Sequence, residues 1–184
     1  MALRIKSHWY NEDNERSLEE IAGALAFNAW KLAMDKAITL HGEQFVYDSD
    51  RQRLDVIAEY LAFQVQIVDR MSHDRLTQEE RQTLITALAL RLAQHMQENA
   101  GELLGGGGHA DRFIALLNQR AQEYAELGFT DDGPSYPFMR HLGFEIQQLM
   151  GQSQENRWVI DQVMDIDAAE VYKQMKRILR NLFS

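Results

Sequence analysis

Apolar positions recur every three to four residues along almost the whole chain, and they almost never alternate with polar ones. The first spacing lines side chains along one face of a helix, whereas alternation would line them along one face of a strand. The pattern therefore predicts an all-α protein. Abundant Leu, Ala and Gln and sparse Val, Ile and Thr favour helix at the level of intrinsic propensity too. Punctuation divides the chain into about six helices. The first is predicted from Ser17, which has the spacing of a capping box with Glu20, to about Leu40, ahead of Gly42. The second runs from Ser49 or Asp50 to about Met71. Another capping box, Thr77 with Glu80, opens the third, which is expected to stop near Asn99 with Gly101 just beyond. Gly105 to Gly108 reads as a flexible hinge, and the fourth helix follows from about Ala110 to Leu127. A turn is expected from Thr130 to Pro134. The fifth helix runs from Ser135 to about Met150, with Pro137 tolerated in its first turn. The sixth covers Asn156 to Phe183, with a break expected near Asp165–Asp167. The whole, 1–184, is read as one helical domain.

The first two helices carry the most informative pattern. Leu18, Ile21, Leu25, Ala29 and Leu32 form one stripe on the first helix, and Phe27, Trp30, Met34 and Ile38 form a second. On the second helix Leu54, Ile57, Leu61, Val65 and Val68 oppose Val56, Tyr60, Phe63, Ile67 and Met71. An ordinary surface helix has one such stripe. Two stripes demand two apolar neighbours, so this hairpin is expected to be central. The second neighbour is either the rest of the chain or another copy of it. Aromatic residues and Met are enriched in interface cores. Phe27, Trp30, Met34, Tyr60, Phe63 and Ile67 are accordingly expected to form the centre of a two-fold homodimer.

Composition narrows the chemistry. A length of 184 residues is enough for a self-sufficient core, and a sequence with no Cys excludes thiolate metal sites and thiol nucleophiles. The formal net charge of −9 disfavours a phosphate backbone, so nucleic acid is not an expected partner. No apolar run approaches a transmembrane span and the first residues do not read as a signal peptide, so a cytoplasmic location is expected.

A helical bundle invites the di-iron question, which needs Glu three residues before His on two helices. The residues at that offset are Ile5, Ile38, Arg70, Leu92, Gly106 and Phe138, so the site is excluded, as is H-E-x-x-H. The four glycines lack the Gly-Lys-Ser/Thr ending of a phosphate loop, and no serine sits in G-x-S-x-G. What remains is His141 with Glu145, one turn apart on the fifth helix, able to share a metal or a proton. Lys173, Lys176, Arg177 and Arg180 form a basic face on the last helix, suited to the negative end of the helix dipole or to an acidic partner. The expectation is a non-enzymatic interaction or scaffold protein acting through apolar helix faces, with no cofactor. The alternative is a small-molecule- or metal-binding helical enzyme using His141 and Glu145.

Overall fold

The computed structural model describes residues 16–184 and has the all-α architecture that the spacing predicts. Helix α1 is Leu18–Gly42, α2 Asp50–Ser72, α3 Gln78–Leu104 and α4 His109–Ala125. A two-strand hairpin, β1 Phe129–Thr130 with β2 Gly133–Pro134, precedes α5, Tyr136–Met150. The last rod begins as α6, Val159–Gln162, passes through a π turn at Val163–Asp167 and continues as α7, Ala168–Leu182. Both expected capping boxes form: Ser17 and Glu20 close α1, and Thr77 and Glu80 close α3. No helix among the described residues is long and apolar enough to cross a membrane.

Three details differ from expectation. Helix α3 continues through Gly101 to Leu104, because the signal at Gly101 is outvoted by buried Ala100 and by the left-handed Gly105 that ends it instead. The expected hinge is tied down: Gln97 donates to Gly107 O and accepts from Ala110 N, each at 2.9 Å, and His109 Nε2 lies 2.9 Å from Gly105 O. The expected break in the last helix is the π turn, which accommodates an extra residue without ending the rod.

Helix α2 is the axis of the molecule. Every residue from Val56 to Val68 is buried, because α1, α3, α4, α5 and α7 all pack around it. This corrects the expected dimer interface. Tyr60, Phe63 and Ile67 belong to the chain's own core. Phe63 meets Tyr124 of α4 and Phe138 of α5 at centroid distances of 6.3 and 5.7 Å, and the Tyr60 hydroxyl donates to Asp167 at 2.9 Å. Helices α4, α5 and α7 thus supply the second apolar neighbour that the stripes of α2 demand. Helix α1 differs. Its first stripe is buried, while Phe27, Met34 and Ile38 of the second remain exposed and Trp30 is half-buried against His95 of α3.

Candidate functional site

Helix α4 buries one line of residues at helical spacing: Phe113, Leu117, Arg120 and Tyr124. Arg120 therefore carries its guanidinium into the interior, where its side chain is 7% exposed. It meets Glu59, buried on α2. Arg120 Nε donates to Glu59 Oε2 at 2.9 Å and Nη2 to Oε1 at 2.7 Å, a two-pronged pair. Nη2 also reaches Glu145 Oε2 of α5 at 2.7 Å, and Nη1 reaches both oxygens of Glu123 at 3.2 and 2.9 Å. All three donor nitrogens are engaged. His141 Nε2 lies 2.7 Å from Glu123 Oε2, and its ring stands edge-on to Tyr124 at 4.9 Å.

Local electrostatics follow from burial and charge count. Three carboxyl groups face one guanidinium. Burial pushes the Glu59 carboxyl above its ordinary value, against the pull of Arg120 and with the help of Glu145. Burial acts the same way on Glu123, but hydrogen bonds from Gln119, His141 and Arg120 outweigh it and hold that carboxyl below its ordinary value. The Tyr124 hydroxyl is fully buried, has no hydrogen-bond partner among the described residues, and is pushed well above the usual phenol range by burial.

His141 and Glu145 are thus brought into one cluster, but not as a pair across one turn. No hydrogen bond joins them; each is bonded to α4 instead, His141 through Glu123 and Glu145 through Arg120. Glu123, His141 and Glu145 each offer a ligand atom, all within 4.8 Å of one another, so the donor set suits a divalent cation. Arg120 already bonds both carboxylates, so a cation competes with the guanidinium for them.

Beside the network lies a cleft of about 320 Å³ between α2, α4, α3 and α5. Leu54, Ala58, Met96, Phe113, Leu116 and Leu149 give it apolar walls, and the Glu59–Arg120 pair forms its buried end. At the mouth, Arg112 Nη2 lies 3.1 Å from Asp55 Oδ2 and Arg51 Nη1 lies 4.0 Å from Asp55 Oδ1. Two guanidinia therefore share one carboxylate. Burial raises Asp55 above the usual aspartate value although Arg112 and Arg51 both pull it down.

The remaining candidates fall elsewhere. Phe27, Trp30 and Met34 are on the outer side of α1, whereas Tyr60, Phe63 and Ile67 are interior. Of the basic face, Lys173 and Arg177 are exposed, while Lys176 and Arg180 line a groove with Arg70 and Arg75. Sequence reasoning missed Glu59, Arg120, Glu123 and Tyr124. One signal was available: Arg120 sits in helical register with Phe113, Leu117 and Tyr124, and a charge on an apolar stripe requires a buried partner. Nothing in the sequence identified that partner as Glu59. No protein-family model matches this sequence, and no curated protein and no solved structure is significantly similar to it.

Proposed function

We propose that the chain is a binding protein for a small amphiphilic anion, with the cleft between α2, α3, α4 and α5 as its site. One observation carries the reading: an apolar cleft of about 320 Å³ ends on a buried ion pair and opens between two guanidinia that share one carboxylate. Small-ligand sites are mostly apolar concavities with a few placed polar groups, from roughly 300 Å³ upward. The walls take the apolar part of the ligand, and Arg51 and Arg112 take its anionic end. Glu145, Glu123 and His141 are positioning residues in this reading, since they hold Arg120 and do not line the cleft.

Titration calorimetry with decanoate, an apolar chain bearing one carboxylate, tests it. Saturable one-to-one binding is expected, and Leu116→Trp, which fills the cleft, should abolish it while circular dichroism stays helical. Arg112→Gln should weaken decanoate at least several-fold and leave decanol unaffected. No binding, or binding indifferent to Leu116→Trp, overturns the reading.

A second reading keeps the expected homodimer on a smaller surface. Phe27 is 65% and Ile38 62% exposed on α1, with Met34 between them in the same register. In that reading the outer side of α1, rather than a face of α2, meets a second copy. A cytoplasmic location is proposed with both readings, in keeping with the cysteine-free sequence.

A further inference from the structure

Away from the charge network lies a groove of about 740 Å³ where the C-terminal end of α2, the β1–β2 hairpin and α7 meet. Four cations line it, Arg70, Arg75, Lys176 and Arg180, against two carboxylates, Asp74 and Asp131. Basic side chains thus outnumber acidic ones along its lining, on a chain whose net charge is −9. Acidic groups outnumber basic ones 28 to 19 in the chain, so a lining in which cations outnumber acids is the unusual arrangement here. Arg70, Lys176 and Arg180 have no carboxylate within ion-pair distance among the described residues.

Arg70 is held in place without being used up. Its Nη2 donates to the carbonyls of Tyr124 and Leu127 at 2.6 and 3.2 Å, and its guanidinium carbon lies 5.8 Å from the Phe138 ring. Nε and Nη1 make no hydrogen bond among the described residues. A half-buried guanidinium fixed at one corner presents its remaining donors in a set direction, the geometry that suits a tetrahedral oxyanion. Across the groove, Lys176 lies 5.6 Å from the Tyr172 ring. That ring is itself fixed by the hairpin: a Cβ on Gly133, whose φ is +114°, would sit 2.6 Å from it. Arg70 on one side and the Tyr172 ring beside Lys176 on the other are thus each held by contacts of their own.

We propose that this groove binds a phosphate-bearing anion, either a free phosphate compound or a phospholipid headgroup, with Arg70, Lys176 and Arg180 as its ligands. The site accounts for half of the basic face, Lys176 and Arg180, and leaves Lys173 and Arg177 outside it. It is independent of the anion cleft between α2, α3, α4 and α5, which shares no lining residue with it.

The test uses the full chain. Calorimetric titration with inorganic pyrophosphate is paired with sedimentation on phosphatidylcholine vesicles containing phosphatidic acid. The control is Lys176→Gln/Arg180→Gln, two substitutions on the outer turns of α7 that leave the core stripe intact. The wild type should bind at least one probe, with affinity falling as salt rises, and the double variant should bind at least tenfold more weakly with unchanged helicity. Pyrophosphate binding that competes the protein off vesicles identifies a free ligand. Vesicle binding without pyrophosphate binding identifies a headgroup. Failure of the wild type to bind either probe, or equal binding by the double variant, overturns the proposal. Leu116→Trp should leave this site untouched, so the two proposals fail separately.

Discussion

At the scale of single residues, Arg120 decides the most. It neutralises Glu59 in the interior and collects Glu123 and Glu145 from two further directions. Removing one partner of a buried pair leaves an uncompensated charge, at a cost of about 3–5 kcal/mol. Arg120→Ala should destabilise the fold by that order in urea denaturation, and an effect below about 1 kcal/mol would show that the network is not buried in solution. Glu59→Gln/Arg120→Met, which removes both charges, should recover much of the loss. The same residue governs metal binding. Because its guanidinium already satisfies Glu123 and Glu145, elemental analysis of dialysed protein should find no stoichiometric divalent metal. A retained ion that disappears in Glu123→Gln would move the site's chemistry from the cleft to the cluster. The cluster was half legible. His141 and Glu145 stood out by spacing, but a stripe on α4 says nothing about which helix lies opposite it, so Glu59 did not.

At the scale of elements, the π turn is the most consequential feature. It places Asp167 in the core, where it accepts from Tyr60 at 2.9 Å and lies 3.8 Å from Lys36, which in turn pairs with Glu170. Burial raises the Asp167 carboxyl above its ordinary value, and Tyr60 and Lys36 only partly offset this. The sign follows from proton linkage. An acid with a raised folded pKa binds its proton more tightly in the native state, so its contribution is fully present below about pH 3.9 and is lost as pH rises through the folded value. Asp167→Asn removes that loss. Its stability relative to the wild type should therefore improve between pH 4 and pH 7 in parallel urea titrations. A relative stability that falls over this interval would mean that Asp167 is held ionised by Lys36. The sequence predicts an irregularity near Asp165–Asp167; the partners that Asp167 meets there, Tyr60 and Lys36, lie on other helices.

At the scale of the whole molecule, the uncovered side of α1 is the feature with the largest consequence. Exposed Phe27, Met34 and Ile38 share one side of a helix whose opposite stripe is fully used in the core. Scattered apolar residues are normal on a surface, whereas a contiguous strip marks an interface. Sedimentation equilibrium at tens of micromolar should give twice the chain mass, and Phe27→Glu/Ile38→Glu should return a helical monomer. Both residues are exposed in the single chain, so unfolding is not the expected result. A wild-type monomer at that concentration sinks the homodimer reading and leaves the cleft reading untouched.

The sequence by itself determined where the first five helices begin, which side of each is apolar, and that no strand of ordinary length would form. Those properties are local: a capping box spans four residues and a stripe repeats within a turn, so both are complete before distant segments meet. Only the tertiary structure decided which apolar sides face each other. Phe63 and Ile67 look like Phe27 and Met34 in the sequence, yet the first two are interior and the last two are not, because α4, α5 and α7 close over α2 and nothing in the chain described closes over that side of α1. The Glu59–Arg120 pair likewise joins residues 61 positions apart. Its partners were chosen by the packing of α4 against α2, and no periodicity within either helix encodes that choice.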